Sequence, residues 1–329
     1  MFLERRPPPH QYGIYSTSFA IQLLARTSRR AEREIMTDVV QGAIFLTRQF
    51  AAHNAALRDP AAQNKQAHKR RELGHTDFDL VLKHSLILEA LSALTTLREL
   101  HADYNQQLAE SKETATAIAD DLANTGVDSR DEAAGTVATA WPWHRVGGPG
   151  LVDPIPTAYA YTALNLPLLA GEALRKSPHQ VERYLTAVLF DAKVRPVMKA
   201  IVVNRLHAAN RPPLPDALRE MVSAAISAEL DLDSPLPWQE VYHYDVFSTG
   251  GHLAHYKPWI WICPRLELAQ ALLVLTTGNF SRSVLSTLHG VVSNIEHYGS
   301  FRVSSAKPPS LQACWRAEEF LRVAESFYA

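Results

Sequence analysis

Four residues able to bind zinc gather in one stretch of the chain. Two histidines separated by two residues, a third histidine and a thiol make up the set: His252, His255, His243 and Cys263. Imidazole nitrogens and thiolate sulfurs are the ligands of tetrahedral zinc sites. Their spacing nevertheless matches no standard zinc motif, and the glycines and proline around the histidine pair indicate a loop. We therefore predict no bound metal and treat the four residues as weak zinc candidates, with side chains that are solvated or packed.

A run of aromatic and cationic residues is a candidate for binding a ligand or a partner. Trp143, His144 and Arg145 precede a Gly-Gly-Pro-Gly turn at 147–150. The guanidinium offers a planar fork to a carboxylate or phosphate, and the adjacent rings offer apolar contact. Further aromatic residues complete the candidate binding set: Tyr159, Trp259 and Trp261. Packing of these rings against neighbouring helices is the alternative interpretation, because buried aromatic residues usually serve packing.

Motifs of nucleotide or acyl chemistry are missing from the sequence. The turn at 147–150 is not followed by Lys and Ser or Thr, so it is not a phosphate-binding loop. No Gly-x-Ser-x-Gly elbow occurs, and no catalytic residue can be assigned. The basic segment at 65–71 could contact nucleic acid, although a run of charge is more often a solvated face.

Composition and charge bound the class of protein. The 329 residues are 47% hydrophobic and 20% charged, which is typical of a globular chain with a substantial core. A net charge of −1 argues against a surface that is basic throughout, as nucleic-acid binding would favour. The two cysteines follow no disulfide framework, the first residues contain no apolar signal segment, and no apolar run could cross a bilayer. We therefore expect a cytoplasmic protein without a membrane span.

Helices must position these residues, since helical periodicity dominates the sequence. From 110 onward, the predicted helices cover 110–125, 154–172, 179–209, 214–230, 263–276, 280–296 and 309–328. Pro196 should kink or split the helix that contains it. No stretch alternates as a strand would, so no substantial sheet is expected, and 124–154 is the longest predicted loop. The breaks between helices are short, which favours a single domain over 1–329.

One local pattern recurs in four places along the chain. An aromatic and glycine turn or a proline stop is followed by an amphipathic helix, and these helices begin near Thr17, Thr157, Arg265 and Ser310. In the first copy, the stretch at 12–17 is predicted as the turn, with Ser16 or Thr17 capping a helix over 19–26. Self-similarity at intervals of tens of residues indicates an array of helical units. The four similar helices are therefore predicted to lie side by side in an inner layer.

Three of these segments resemble repeats of the α/α-toroid superfamily. They read Gly-Ile-Tyr-Ser-Thr-Ser-Phe-Ala-Ile-Gln-Leu-Leu-Ala at 13–25, Asp-Pro-Ile-Pro-Thr-Ala-Tyr-Ala-Tyr-Thr-Ala-Leu at 153–164 and Gly-Ser-Phe-Arg at 299–302. The superfamily includes squalene and hopene cyclases, class II diterpene cyclases and protein prenyltransferase β subunits. The resemblance implies an all-α fold, a toroid or ring-like array of about six helical hairpins, with an inner and an outer layer.

The catalytic motifs of those relatives are not matched. Class II terpene cyclases protonate an alkene with an Asp-x-Asp-Asp motif, and the strings at 77–80 and 231–234 both lack its last aspartate. Protein prenyltransferases hold zinc with an Asp-x-Cys pair, and neither Cys263 nor Cys314 has an aspartate two positions before it. The fold of the relatives therefore transfers more readily than their chemistry.

The leading hypothesis is a non-catalytic toroid that acts as a binding or scaffolding module in a bacterial multiprotein system. It implies no cofactor, and its partner would be another protein or a peptide. The alternative is an enzyme acting on an isoprenoid-like apolar ligand, related to the cyclases or prenyltransferases. The second alternative is a helical solenoid that binds nucleic acid through the segment at 65–71, which the charge balance disfavours.

Overall fold

The described part of the chain is predominantly helical, as the sequence predicts. A computed structural model describes residues 9–26, 33–58, 80–95, 97, 104–131, 136–142, 152–166, 178–231, 242–243, 259–260, 264–276, 282, 284–287 and 289–290. These residues form two compact units. The first comprises Met1–Thr125, Trp143–Val146 and Ala163–Leu174, and the second comprises Gly126–Pro142, Gly147–Thr162 and Arg175–Ala329. The single domain over 1–329 stays a prediction, and each unit is described by itself below.

The first unit is built around one buried helix. Its helices are α1 (Pro9–Arg26), α2 (Arg33–Arg58), α3 (Leu80–Thr95) and α4 (Asn105–Thr125). Every residue of α3 from 81 to 92 is buried, because α1, α2 and α4 all pack against this helix. Helix α4 buries only one face, whose members include Leu108, Ile118 and Leu122. Helix α3 is thus interior on every side, although it carries polar residues such as Lys83, His84 and Glu89, and the amphipathic helix α4 covers part of it.

Helix α1 begins earlier than the sequence predicts. The stretch at 12–17 was expected to be a turn, but α1 begins at Pro9 and runs through it. A proline fits the first turn of a helix because its missing N–H has no partner to lose there. Thr17 is an interior residue of α1 rather than its cap, and a Cβ on Gly42 of α2 would lie 3.1 Å from Thr17 Cγ2 and from Ile21 Cδ1. This close approach of α1 and α2 supports the longer helix through packing, which overrides the local turn preference.

The second unit combines helices with two short hairpins. Its elements are β1 (Val127–Asp131), β2 (Thr136–Ala140), α5 (Pro154–Leu164), α6 (Pro178–Phe190), α7 (Pro196–Ala208), α8 (Asp216–Asp231), β3 (Tyr242–His243), β4 (Trp259–Ile260) and α9 (Pro264–Leu275). Strands β1 and β2 are antiparallel, with Val127 opposite Ala140. Strands β3 and β4 are also antiparallel. The first hairpin lies inside the stretch 124–154 that was predicted as a loop.

A tryptophan ties the first hairpin to the start of α5. Trp141 is fully buried, its backbone N–H donates to Thr157 Oγ1 at 2.8 Å, and its carbonyl accepts from the backbone N–H of Asp153 at 3.1 Å. A Cβ on Gly126 would meet the Trp141 ring at 3.1 Å, so the ring packs directly on the glycine. These contacts order a segment whose short strands give little sequence signal of their own.

Helix starts in the second unit follow local chemistry. Asp153 caps α5, because its Oδ1 accepts the backbone N–H of Ile155 at 2.9 Å. Pro196 begins α7, so the predicted helix over 179–209 is split into α6 and α7, as expected from the proline. The break is closed by Asp191, whose Oδ1 accepts the backbone N–H of Lys193 at 2.8 Å. Helix α9 begins at Pro264, between the start at 263 predicted from periodicity and the repeat start predicted near Arg265.

Buried and half-buried helices alternate along the second unit. All residues of α5 are buried, every residue of α7 from 197 to 206 is buried, and α9 is buried except at positions 265 and 274. By contrast, α6 and α8 bury one stripe each and expose the opposite face. Helix α7 packs most extensively against α9 and also contacts α8. The fourth predicted repeat helix, at 309–328, lies outside the described residues, so a shared inner layer of all four stays a prediction.

Candidate functional site

Polar side chains interrupt the buried helices of the second unit. Lys199, Asn204 and Arg205 lie on α7, and Glu267 and Gln270 lie on α9, each less than a tenth exposed. Polar groups in such positions are costly unless they are bonded, and ionised groups are costlier still. Their partners are therefore described one by one below.

Asn204 and Glu267 form the most deeply buried polar pair between α7 and α9. Each is 2% exposed. The Asn204 amide nitrogen donates to the Glu267 carboxylate Oε2 at 2.6 Å and to the Glu267 backbone carbonyl at 3.0 Å. Two protons serve two acceptors, so the donor capacity of the amide is used. Asn204 Oδ1 is buried and accepts no hydrogen bond from any described residue.

The Glu267 carboxylate is only partly compensated by its surroundings. It lies in the first turn of α9, where the helix dipole favours negative charge by roughly 0.3–1 kcal/mol, rising to about 2 when partly buried. Removing a carboxylate from water costs several kcal/mol, so the dipole alone does not balance the charge. Among the described residues, no lysine, arginine or histidine forms an ion pair with it. The pair thus presents acceptor atoms that no described cation satisfies.

Arg205 and Tyr159 join α7 to α5 by a different kind of contact. The guanidinium carbon of Arg205 lies 3.5 Å from the centre of the Tyr159 ring, and both side chains are buried. The Thr162 hydroxyl donates to the Arg205 backbone carbonyl at 2.9 Å, which fixes the same two helices one turn further along. A desolvated cation over an aromatic face is worth about 2 kcal/mol. Tyr159, a predicted binding residue, is therefore a packing partner of α7.

Tyr161 faces away from Tyr159, as the helical spacing predicts, and anchors a second cluster. Its hydroxyl donates to Glu182 Oε1 at 2.6 Å, and Arg211 bonds to both the hydroxyl and the Glu182 carboxylate. His179 Nδ1 lies 3.5 Å from the other Glu182 oxygen. Burial raises the pKa of Tyr161, and the hydrogen bond and charge of Arg211 oppose that rise. The cluster links α5, the start of α6 and the connection between α7 and α8.

Two further ionisable groups of the second unit are shifted by burial. Desolvation raises the pKa of Tyr184, and the Asp153 carboxylate raises it further by repelling the phenolate. Desolvation lowers the pKa of Lys199, while the charge of Asp191 opposes this. Both shifts favour the neutral form of the side chain, which is the expected effect of a core on groups without a fully compensating partner.

The first unit contains a pair formed by a buried histidine and a partly buried aspartate. His84 Nδ1 lies 3.1 Å from Asp121 Oδ2 and joins α3 to α4. The Phe50 ring of α2 meets the imidazole edge to face, with ring centres 5.0 Å apart. A carboxylate of this kind fixes the orientation of an imidazole, as it does in many catalytic sites. Here the pair also connects three helices, which is a structural role.

Only some of the residues predicted to bind a ligand, a partner or zinc lie in the described part of the chain. Trp143, His144, Arg145, Trp261, His252, His255 and Cys263 lie outside the described residues. His243 and Trp259 are opposite each other in the β3–β4 ladder, and their side chains are not among those described. Within the described residues, no group of three or more His, Cys, Asp or Glu could hold a metal ion. The zinc candidates and the tryptophan site therefore stay predictions.

Sequence reasoning missed the polar residues inside the buried helices. A break at Pro196 within 179–209 is predicted, but the sequence reasoning does not identify the second half as a helix that is buried on every face from 197 to 206. The available signal was a polar residue within an almost uninterrupted apolar run, such as Asn204 after 200–203 or Glu267 within 266–275. What no spacing could reveal is that these two residues meet, since they are 63 positions apart.

Comparisons with known proteins add no further assignment. No protein-family model, curated protein or solved structure matches the chain significantly. Within the described helices, none has the length and apolar character needed to pass through a bilayer.

Proposed function

We propose that this protein is a non-catalytic binding module of the α/α-toroid type, with another protein or a peptide as its partner. The observation that supports the proposal is the alternation along 154–275 of helices that are buried on every face with helices that bury one stripe. Such alternation is what an inner and an outer layer of helical hairpins require, and arrays of this kind expose large surfaces to partners.

The polar contacts of the second unit support a rigid scaffold. Arg205 is held against Tyr159, and Tyr161 is engaged by Glu182 and Arg211. Each contact joins two or three elements of the unit. Their effect is to fix the packing of α5, α6 and α7, which a rigid recognition scaffold needs.

The partner contacts are assigned to the sequence-predicted aromatic and cationic run at 143–145. Arginine and tryptophan are enriched among the residues that dominate binding energy. A guanidinium next to two rings suits a partner segment that carries a carboxylate beside an apolar side chain. The proposed partner is thus an acidic and partly apolar peptide segment.

The experiment is selection of peptides from a random displayed library on the purified full-length chain, followed by titration of the selected peptides. We expect enrichment of peptides that combine Asp or Glu with an aromatic or aliphatic residue. Arg145→Ala should weaken their binding by at least about tenfold, since truncation of a central arginine costs more than 1 kcal/mol. Arg48→Ala, at an exposed position of α2, should leave binding unchanged.

Two results would overturn the proposal. The first is failure to enrich any peptide, together with turnover of an isoprenoid substrate by the purified chain, which would favour the enzyme alternative. The second is equal peptide affinity for wild type, Arg145→Ala and Arg48→Ala. A large loss of thermal stability in Arg145→Ala with unchanged binding would assign that residue to packing.

A further inference from the structure

We infer that the Asn204 and Glu267 pair of the second unit is a binding site for a small organic cation that carries a primary ammonium or a guanidinium group. The proposal concerns the interior between α7 and α9. It is independent of the peptide surface proposed above, which rests on residues 143–145.

The hydrogen-bond pattern of the pair determines which groups remain to be satisfied. Both protons of the Asn204 amide are directed at Glu267, one to its carboxylate and one to its backbone carbonyl. Exchanging the amide oxygen and nitrogen would place an oxygen against two acceptors, so the amide orientation is fixed by its partners. Asn204 Oδ1 must then face away from Glu267, where no described residue donates to it. A ligand at this place must be a donor.

Charge points to the same kind of ligand. Glu267 is 2% exposed, and no described cation is paired with its carboxylate. Buried carboxylates are normally paired with a cation or bound to a metal. The described residues around the pair do not form a set of three or more metal-ligating side chains, which favours an organic cation. An ammonium or a guanidinium supplies several N–H donors and one positive charge, matching both the acceptor atoms and the carboxylate.

Neighbouring side chains limit the size of the bound group. Gln270 lies one turn along α9 from Glu267 and is also buried. The side chains one turn away from the pair on each helix form an aliphatic surface that is itself buried, with Ala200 and Ile201 on α7 and Ala271 on α9. A compact cation on an alkyl chain suits this surface, because the chain would lie against apolar side chains while its charged end meets Glu267.

The test measures binding of defined cations to the full-length protein. The probes are putrescine, agmatine, butylamine and arginine, with butanol and N-butylurea as neutral controls, screened by thermal shift and then titrated by calorimetry. We expect at least one cationic probe to bind and neither neutral control to do so. Glu267→Gln keeps the size of the side chain and should weaken that binding by at least about tenfold. Glu220→Gln, at an exposed position of α8, is the matched control and should bind as wild type does.

Stability of the unbound variant separates a ligand site from a structural carboxylate. If the Glu267 carboxylate serves to bind a cation, the Glu267→Gln variant without probe should unfold at the same temperature as unbound wild type or at a higher one, because a buried charge has been removed. If Glu267 is needed for packing, the unbound variant should be less stable. Should that variant fail to fold, the Asn204 side-chain amide signals of the isotopically labelled wild-type protein provide the readout, and the bound probe should shift them.

The proposal is overturned if no cationic probe binds at millimolar concentration, or if Glu267→Gln binds a probe as tightly as wild type does. Unchanged Asn204 amide signals in the presence of a bound probe would also overturn it, since the probe would then lie elsewhere. Peptide binding through Arg145 should be unaffected by Glu267→Gln, so failure of one proposal leaves the other standing.

Discussion

Replacing Tyr184 with Phe should make the protein less sensitive to alkaline unfolding. Desolvation and the Asp153 carboxylate both raise the pKa of Tyr184 above the ordinary value of 10.0. The folded state therefore keeps the phenolic proton at a pH where the unfolded state releases it. Because the unfolded state then binds fewer protons, the free energy of unfolding falls as pH rises above 10.

The size of the effect follows from that one proton. At pH 11, an unfolded tyrosine with a pKa of about 10 has an ionised form that is roughly ten times as abundant as its protonated form. This ionisation stabilises the unfolded state by about 1.4 kcal/mol relative to pH 8. This figure is the upper bound for Tyr184, because its side chain keeps partial exposure. The phenylalanine of Tyr184→Phe has no proton to lose. Between pH 8 and pH 11 the variant should therefore lose less unfolding free energy than wild type, by up to about 1.4 kcal/mol.

The assay is urea unfolding followed by circular dichroism at several pH values from 8 to 11. The quantity compared is the difference in unfolding free energy between variant and wild type at each pH, which cancels the other titrating groups. Near pH 8 the variant should differ little, since no described residue hydrogen-bonds to the Tyr184 hydroxyl. The difference should then move in favour of the variant as pH rises through 10.

A variant on the same helix provides the control. Val188→Ala removes buried apolar volume from α6 without removing a titratable group, so it should lower stability by the same amount at every pH. If the difference between Tyr184→Phe and wild type also stays constant from pH 8 to 11, the argument from burial and Asp153 is refuted.

Two further predictions concern the other polar groups of the second unit. Lys199→Met should raise the free energy of unfolding at pH 7, because the lowered pKa of Lys199 means that protonation of the lysine opposes folding. The gain in unfolding free energy over wild type should shrink as pH rises toward 10.5. A gain that is the same at every pH in urea titrations would contradict this prediction. Tyr161→Phe and Arg211→Ala should show a coupling energy of about 0.5–1.5 kcal/mol in a double-mutant cycle of unfolding free energies. This range is at the low end for residues in contact, because Arg211 and Glu182 are partly exposed to solvent. Strictly additive losses of stability would show that the hydroxyl and the guanidinium act separately.

Local signals in the sequence are enough to predict the helical class of the fold and one break between helices. Helical periodicity predicted a predominantly helical chain, and Pro196 predicted the break between α6 and α7. These signals are local, because a cap or a proline acts through the backbone groups of its immediate neighbours. For the same reason the different directions of Tyr159 and Tyr161 could be predicted from their spacing alone.

Local signals failed where distant packing decided the outcome. The stretch at 12–17 has the composition of a turn, yet the contact of Thr17 and Ile21 with Gly42 keeps it helical. The β1–β2 hairpin arises in a predicted loop because Trp141 is fastened to the start of α5. Helix propensity and strand propensity are worth about 1 kcal/mol or less per residue, so tertiary contacts readily override them.

The packing of the helices selects which polar residues meet inside the protein. Asn204 and Glu267 are 63 positions apart, and Thr162 and Arg205 are 43 positions apart. The sequence shows each of them as a polar residue in an apolar helix, but the choice of partner depends on how α5, α7 and α9 pack. Hydrogen bonds act over about 3 Å, so the candidate cation site exists only once the packing of α7 on α9 has brought its two residues together.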